Sequence, residues 1–405
     1  MSSVKSGVRK YWWVGVLGLL CCCWAVALGA DEQIDMQKGR ELWQKQRNGQ
    51  TLTEEEQEYL KKVQAERARQ RAGGQNPDAG QNAQQGEGQR RRPRGVDPKD
   101  STGLVPMTDM GKDDKYKGES VGLYGNGSNV PPEALQKAAD KQVAKIEPLD
   151  ADGKPAKDGK IVFIGVGMSN TTQEYSAFKR LADADPNKAA NVIIVDCAQG
   201  GMAAHEWADP NRVVRSGRPS PWDTMDKRIQ RAEVSPKQVQ VAWIKLAQIG
   251  PGNIGEFPKH AKTIEEDTKV ILNGLMKRFP NLKVAFLGSR IYGGYAETNL
   301  NPEPYAYEGG FAVRWSIEDQ MKGNPDLNWD AEKGAVKSPL LLWGPYLWAD
   351  GVKGRKIDKL VYTRADLAND GVHPSGEGQK KVAQLLLDFM KTDKNAKGWF
   401  VGKKD

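Results

Sequence analysis

The stretch IVFIGVGMSNTTQEYSAFKRLADA, residues 161–184, joins a β-rich run to a helical pattern through a turn that contains two glycines. Its first four residues are apolar without polar alternation, which is typical of a strand buried on both faces. Comparable runs follow at 192–195 (VIIV), 239–244 (VQVAWI) and 283–287 (KVAFL). Strands of this kind predict a parallel sheet that is covered on both sides.

Helical patterns separate these runs. They are TTQEYSAFKRLADA (171–184), AEVSPKQ (232–238) and FPKHAKTIEEDTKVILNGLMKRF (257–279), and EGQKKVAQLLLDFM (377–390) follows near the carboxyl end. Thr171 and Glu174 have the spacing of a capping box and predict the start of the first helix. The alternation of strands and helices predicts a three-layer α/β/α sandwich with a mostly parallel central sheet.

The N-terminal segment has the pattern of a secretory signal. Three basic residues, Lys5, Arg9 and Lys10, precede an apolar run over 11–28, and small residues follow it. We therefore predict a signal peptide over 1–30 and a secreted or periplasmic protein. The apolar run is also long enough for an uncleaved membrane anchor, so anchoring by this segment is the alternative.

The numbers and positions of the cysteines and histidines exclude a fold stabilised by disulfides and a fold stabilised by a bound metal. Three of the four cysteines lie inside the predicted signal segment, which leaves Cys197 alone in the exported chain. A single cysteine forms no internal disulfide, and three scattered histidines do not have the spacing of metal ligands. We expect no metal and no cofactor, and a fold held by an ordinary hydrophobic core.

The region before the sheet divides into three parts. Residues 31–70 carry short helical patterns, and one of them opens with Thr53 and Glu56 at capping-box spacing. Residues 71–100 are rich in Gly, Gln and Arg with almost nothing apolar, which predicts a disordered linker. Residues 101–157 form an irregular lead-in, so the main domain is predicted over 158–405.

Two interpretations of the glycine turn GVGMSN (165–170) compete. Gly165 and Gly167 form a partial dinucleotide-binding pattern, with Asp196 at the end of the next strand as the ribose ligand. Asn170 stands where that pattern needs a third glycine, and an exported protein rarely meets a nicotinamide cofactor. The favoured alternative makes Ser169 a nucleophile.

A serine nucleophile needs a general base that is itself held by a third group. The loop NDGVHPSGEGQ (369–379) supplies both, because Asp370 and His373 are three residues apart just before the final helix. This spacing lets the carboxylate bind one imidazole nitrogen while the other faces the nucleophile. The three residues predict a Ser–His–Asp catalytic triad.

The chain contains, in this order, Gly167-Met168-Ser169, the glycine turn DCAQGG (196–201) and the Asp370-x-x-His373 pair. Over about residues 158–395 it resembles the SGNH, or GDSL-like, hydrolase superfamily, because these motifs occur in the order of that family. The chain also resembles a group of exported bacterial proteins of that fold. The resemblance implies a flavodoxin-like sandwich, with Ser169 as nucleophile, His373 as base and Asp370 as orienting acid. It places the oxyanion hole at the backbone N–H groups of Ser169 and Gly200, with Gly201 as the alternative.

Two positions depart from the family pattern. Met168 replaces the aspartate of the Gly-Asp-Ser block, and the third block, Gly-x-Asn-Asp, is missing from VAWIKLAQIGPGN (241–253). Gln248 or Lys245 is expected to donate to the oxyanion in place of the missing asparagine, with Asn253 as a remoter candidate. Loss of one such donor typically costs about 3 kcal/mol of transition-state stabilisation.

Substrate-binding side chains are expected after the fourth strand. Arg290 and Tyr292 follow it directly, and the guanidinium either clamps an anionic substrate group or pairs with a buried acid that supports the site. Two aromatic segments, 301–315 and 338–351, are interpreted as insertions that stack on sugar rings or pack as a satellite core. Their aromatic residues include Tyr305, Trp343 and Trp348.

Together these patterns predict an exported serine esterase that removes acyl groups from carbohydrate. The alternative is a non-catalytic glycan-binding protein on a degenerate SGNH fold, because the third block is missing. The net charge of +8 is spread over the chain, which does not favour nucleic-acid binding. Expected partners are an acylated carbohydrate or another ester, with anionic glycans as further partners and the membrane only through an uncleaved N-terminal segment.

Overall fold

In the computed structural model, five strands form one parallel sheet. They are β1 (Ile161–Gly167), β2 (Val192–Asp196), β3 (Val239–Lys245), β4 (Val284–Gly288) and β5 (Leu340–Trp343). Their spatial order is β2-β1-β3-β4-β5, and every neighbouring pair runs parallel. Connections lead in opposite directions from β1 and β3, so a crevice opens at the carboxyl ends of these two strands, where ligands bind in such sheets.

The structure describes residues 52–72 and 98–402, together with Asp35, Lys38, Leu42 and Lys45. The predicted signal segment 1–30 and residues 73–97 of the predicted linker lie outside this part of the chain. Contacts divide the chain into two units, Met1–Gln89 and Arg90–Asp405. Among the described residues, no helix is both long enough and apolar enough to cross a membrane.

The first unit contains helix α1 (Glu54–Ala72). Thr53 N donates to Glu56 Oε2 at 2.9 Å and Glu56 N donates to Thr53 Oγ1 at 3.3 Å, so the predicted capping box is confirmed. Leu60 packs with Leu42 and Leu52 in a small apolar cluster.

Nine α-helices of the second unit are described. They are α2 (Glu133–Val143), α3 (Ser169–Asp183), α4 (Ala204–Ala208), α5 (Pro210–Arg215), α6 (Pro221–Arg231), α7 (Lys259–Arg278), α8 (Tyr305–Met321), α9 (Gly376–Thr392) and α10 (Lys397–Phe400). Single 3-10 turns occupy Met107–Asp109, Pro236–Gln238, Pro251–Asn253, Pro325–Leu327, Ala331–Lys333, Gly351–Lys353 and Arg364–Asp366.

Helices cover both faces of the sheet. Helix α3 packs against α9, and α7 packs against α8 and α4. The connection from β1 to β2 runs one way across the sheet, and the later connections run the other way. Because such connections are right-handed, α3 lies on one face of the sheet and the later crossover helices lie on the other. The result is the expected three-layer α/β/α sandwich.

Four of the five strands agree with the predicted runs, and three elements differ. Leu340–Trp343 is strand β5, and Tyr305–Met321 is helix α8, although both lie in segments predicted to be aromatic insertions. Helix α8 is buried on nearly all sides, so its sequence lacks the one-sided apolar period by which a surface helix is recognised. Between β2 and β3 the main helix is Pro221–Arg231, whereas the predicted segment 232–238 forms only a turn and a 3-10 turn.

The lead-in before the sheet packs against the rest of the second unit. A hairpin of two-residue strands, Lys115–Tyr116 and Glu119–Ser120, precedes α2. The carboxylate of Asp350 accepts hydrogen bonds from the backbone of Thr102 and Gly103 at 2.8 and 3.0 Å and from the hydroxyl of Ser101 at 2.6 Å. This buried carboxylate therefore fixes the start of the lead-in.

Glycines allow α3 to lie close to β1. A Cβ at Gly165 would approach the Tyr175 ring to 2.5 Å. At Gly167, where φ is +155°, a Cβ would lie 2.2 Å from the carbonyl oxygen of Lys245 and 2.4 Å from Thr171 Oγ1. Both glycines are therefore required by packing between the strand and the helix.

We predict that Gly167→Ala lowers the free energy of unfolding by about 3 kcal/mol or more, because the new methyl group would meet backbone in a strained conformation. Gly309→Ala is the matched control, since a Cβ there has no neighbour within 4 Å. As a glycine inside helix α8, its replacement should stabilise by about 0.5–1 kcal/mol. Urea unfolding measures both changes, and equal midpoints for the two variants would contradict the packing argument.

Candidate active site

Ser169 is the first residue of helix α3, immediately after β1. Met168 is the N-cap residue and lies in extended conformation. The predicted capping box at Thr171 and Glu174 is wrong, because Thr171 Oγ1 donates to the Lys245 carbonyl at 2.8 Å and Glu174 pairs with Lys245. The helix thus begins two residues earlier than predicted, which places Ser169 at its positive end.

Ser169, His373 and Asp370 form a continuous chain of hydrogen bonds. Ser169 Oγ lies 2.7 Å from His373 Nε2, and His373 Nδ1 lies 2.5 Å from Asp370 Oδ2. The imidazole and the carboxylate are 24% and 33% exposed, so a small molecule can reach the pair from solvent. This is the relative geometry of a nucleophile, a base and an orienting acid.

The environment of Asp370 favours its ionised form. Partial burial opposes ionisation, but the hydrogen bonds from the His373 side chain and from the backbone N–H groups of His373 and Val372 outweigh it and lower the pKa of Asp370. Both backbone bonds end on Oδ1, at 3.0 Å. An ionised carboxylate only accepts, so Nδ1 of His373 carries the proton and Nε2 accepts from Ser169.

Two side chains hold the His373 loop against the rest of the site. The carbonyl oxygen of Val372 accepts from Asn170 Nδ2 at 3.0 Å and from Arg290 Nη2 at 3.1 Å. Gly371 has φ +65°, and a Cβ there would lie 1.7 Å from the carbonyl oxygen of Tyr295. Asn170 follows the nucleophile directly, yet its fixing role was not predicted, because it depends on a contact 202 positions away.

Backbone donors are present where an oxyanion would form. A Cβ placed on Gly200 would lie 3.8 Å from the Cβ of Ser169, so the glycine turn after β2 adjoins the nucleophile. Within the described residues, the backbone N–H groups of Ser169 and Gly200 have no partner. Gly201 has φ +74°, and its carbonyl accepts from Arg218 Nη2 at 3.0 Å.

Both predicted replacements for the missing asparagine are bound to an acidic side chain. Gln248 is buried, and its Nε2 donates to Asp267 Oδ2 at 2.6 Å. Lys245 is buried in an ion pair with Glu174. Burial lowers the pKa of Lys245, while the Glu174 carboxylate opposes that shift. Each group has further N–H donors beyond this partner, so a role of Gln248 or Lys245 in the oxyanion hole stays a prediction.

Most residues predicted to bind substrate are buried in the fold. Tyr292, Trp343 and Trp348 are almost completely inaccessible, and their polar atoms donate to Lys99 O, Leu123 O and Glu303 Oε1. Arg290 is also inaccessible, and it donates to the carbonyl oxygen of Val372 rather than to the buried acid of the predicted alternative. Within the predicted set, Tyr305 is the half-exposed residue, because it lines a cavity at the sheet edge.

Glu303 was not identified from the sequence, although it stands in the quoted segment 301–315. Its Oε1 accepts from Gly293 N and Trp348 Nε1, both at 2.7 Å, and its Oε2 accepts from Tyr307 N at 2.9 Å. Burial raises the pKa of Glu303 to about 7, although these three hydrogen bonds act in the opposite direction. Two prolines around it, in PEP, were the available hint of a rigid turn.

Asp196, the ribose ligand of the dinucleotide interpretation, is bound within the fold. Its Oδ2 accepts from Ser176 Oγ at 2.7 Å and from Thr172 Oγ1, and its Oδ1 accepts from Ala198 N at 3.0 Å. These bonds give the carboxylate at the end of β2 a structural role. In the described ranges, no three His, Cys, Asp or Glu side chains come together as a metal ion would require.

No protein-family model matches the chain, and no curated protein matches it. Matching solved structures include a lipase from a goat rumen metagenome, with 16% identity over 56% of this chain and 97% of that chain and a TM-score of 0.31. Another is LAE5, an α/β hydrolase enzyme from the metagenome of Lake Arreo, with 15% identity over 59% and 95% and a TM-score of 0.33. An extracellular lipase from Streptomyces rimosus matches with 10% identity over 56% and 99% and a TM-score of 0.27. These scores are too low to establish a shared fold or activity, and the α/β class rests on the sheet itself.

We predict that Glu303 makes stability fall with rising pH. Its folded-state pKa of about 7 exceeds the ordinary value of 4.5, so the folded protein holds the proton more tightly. This contribution is complete below about pH 4.5 and is lost as pH rises through 7. Between about pH 5 and pH 8, the free energy of unfolding of the wild type should therefore fall by about 2–3 kcal/mol relative to Glu303→Gln.

Urea unfolding at several pH values measures this difference. The exposed Glu297→Gln variant reports the effect of removing a surface charge nearby. A wild-type minus Glu303→Gln difference that does not change with pH would mean that the carboxyl group titrates near its ordinary value.

Proposed function

We propose that the chain is an exported serine esterase of the SGNH type that removes acyl groups from carbohydrate. The observation that carries the proposal is the hydrogen-bond chain from Ser169 Oγ through His373 to Asp370, at 2.7 and 2.5 Å. Export is supported by the N-terminal sequence pattern alone. The carbohydrate part is supported by the cavity that Tyr305 lines, because its wall also contains the polar residues Lys99, Asn253 and Asn299.

The first half of the reaction forms an acyl-enzyme. Ser169 Oγ attacks the ester carbonyl carbon while His373 Nε2 takes the hydroxyl proton, and Asp370 stabilises the imidazolium. The carbonyl oxygen becomes an oxyanion that accepts from the backbone N–H groups of Ser169 and Gly200. The tetrahedral intermediate then collapses: Nε2 returns the proton to the alcohol oxygen, the ester C–O bond breaks, and the acyl group stays on Ser169.

The second half regenerates the serine. A water molecule gives a proton to His373 Nε2 and attacks the acyl carbon, which forms a second tetrahedral intermediate in the same oxyanion hole. Its collapse breaks the bond to Ser169 Oγ, which receives the proton from Nε2. The products are an alcohol and a carboxylic acid, and water is the co-reactant that balances the steps.

Two oxyanion donors support a slower reaction than three would. The asparagine of the third block is missing, and the side chains of Gln248 and Lys245 are already bound to Asp267 and Glu174. Removal of one donor costs about 3 kcal/mol in comparable sites, which is about two orders of magnitude in rate. The same observation favours the alternative function, a glycan-binding protein that has lost catalysis.

Labelling by a fluorophosphonate probe separates these two functions. We predict that the wild type is labelled and that Ser169→Ala is not, because the probe needs a serine activated by His373. Ser216→Ala, which changes a serine whose hydroxyl donates to Val213 O, is the control and should be labelled like the wild type.

Asp370→Asn should reduce kcat for p-nitrophenyl acetate by about 10³-fold or more, because the imidazole would lose its orienting charge.

A correctly folded wild-type protein that is not labelled would rule out the esterase and leave the glycan-binding alternative. Labelling that persists in Ser169→Ala would place the nucleophile elsewhere. Circular dichroism of each variant establishes that the protein is folded before either outcome is interpreted.

A further inference from the structure

A cavity of about 520 Å³ lies at the carboxyl edge of the sheet. It is bounded by the loops that follow β3 and β4 and by the start of the lead-in, and it lies outside the triad, whose three residues are not in its wall. Its size is within the range of small-molecule sites. We call it the Glu303 cavity; the residues that matter here are Lys99, Asn253, Asn299, Glu303 and Tyr305.

Glu303 gives the cavity a fixed acceptor. Three N–H groups, from Gly293, Trp348 and Tyr307, bind its two oxygens at 2.7 to 2.9 Å. A carboxylate has about four lone-pair positions, so one further donor can still be accepted. Because the carboxylate is already held in place, a ligand that uses this position loses little entropy in ordering it.

The other polar groups of the wall are unused. In the part of the chain that the structure describes, no side-chain hydrogen bond or ion pair involves Lys99 Nζ, the amides of Asn253 and Asn299, or the Tyr305 hydroxyl. Lys99 is nevertheless held at the rim, because its N–H donates to Gly294 O at 2.7 Å and its carbonyl accepts from Tyr292 OH at 2.8 Å. Tyr305 is steadied by the edge-to-face contact of its ring with His260, at 4.8 Å between centroids.

This combination suits a sugar. Sugar hydroxyls both donate and accept, so they need a mixture of acceptors, such as Glu303, and donors, such as Lys99 and the asparagine amides. An aromatic ring such as Tyr305 packs on the apolar face of a pyranose. Above about pH 7, where Glu303 is ionised, its carboxylate and the Lys99 ammonium balance each other in the wall, which favours an uncharged ligand over a polyanion.

The cavity is connected to the triad through one segment. Gly293, Gly294 and Asn299 line the cavity, and between them in the chain Glu297 N donates to the carbonyl oxygen of Asp370 at 3.0 Å. Gly371 is also in close contact with the carbonyl of Tyr295. A sugar bound in the cavity is therefore next to the loop that carries His373.

We propose that the Glu303 cavity binds an uncharged sugar unit of the acylated carbohydrate and so directs its ester toward Ser169. The inference rests on the proposed esterase function, but binding can be measured without catalysis. The full chain carrying Ser169→Ala is titrated calorimetrically with xylohexaose, cellohexaose and mannohexaose as uncharged probes and with hexagalacturonate as the charged probe.

We expect at least one uncharged hexasaccharide to bind more tightly than hexagalacturonate. Adding Asn253→Ala or Tyr305→Ala should raise its Kd by about tenfold, since each removes an interaction of about 1.4 kcal/mol. Asn211→Ala is the matched control for Asn253→Ala, because it removes an exposed asparagine outside the cavity wall and should leave Kd within about twofold. Asn253 is exposed as well, so its loss should not impair folding.

Three results would overturn the inference: no uncharged probe binds, hexagalacturonate binds most tightly, or binding survives both Asn253→Ala and Tyr305→Ala. The two proposals fail separately. If fluorophosphonate labels the wild type but the Ser169→Ala variant binds no sugar, only the cavity proposal is wrong. If the protein binds the sugar through Asn253 and Tyr305 but is not labelled, only the esterase proposal is wrong.

Discussion

The carbonyl oxygen of Val372 receives two N–H groups that come from different parts of the sheet edge. Asn170 reaches it from the first turn of α3, and Arg290 reaches it from the end of β4. Asn170 adjoins Ser169, and Val372 adjoins His373, so this one oxygen links the nucleophile to its base through the backbone. This link holds the segment of the base against the segment of the nucleophile. It therefore supports the 2.7 Å distance between Ser169 Oγ and His373 Nε2.

Buried charge lies directly behind this link. Lys245 and Glu174 form an ion pair that is almost inaccessible to solvent, and Arg290 is equally buried. Burial lowers the pKa of Arg290, while the charges of Glu174, Glu303 and Asp370 oppose that shift. Buried charges are costly unless they are paired, so Lys245 and Glu174 depend on each other. Arg290 has the carbonyl oxygen of Val372 as its hydrogen-bond partner.

Sequence patterns predicted those parts of the molecule that depend on local chemistry. The strands β1 to β4, the capping box at Thr53 and Glu56, and the fold class follow from apolar runs and from residue spacing. The meeting of Ser169 with Asp370 and His373 was implied by the family resemblance, because the loop that carries Asp370 and His373 precedes α9 and does not follow a strand directly. The roles of these three residues remain a proposal that labelling tests.

The elements that escaped prediction depend on tertiary neighbours. Helix α8 and strand β5 are enclosed by the rest of the fold, so their sequences carry no one-sided apolar period, and α8 buries Glu308 and Arg314 among its apolar residues. Trp343 and Trp348 have the same composition whether they stack on a sugar or fill a core, and only their burial decides between the two. Gln248 has its partner 19 positions away, and Glu303 has partners 4, 10 and 45 positions away, a set of separations that follows no single helix or strand period.

The bond between Ser101 and Asp350 joins residues 249 positions apart. Closing so long a loop costs conformational entropy before any contact is gained. On a ribosome, the lead-in is made early and its anchoring carboxylate is made late, so the start of this unit stays undocked until most of the sheet has been synthesised. Contacts of such long range are typical of chains that fold slowly.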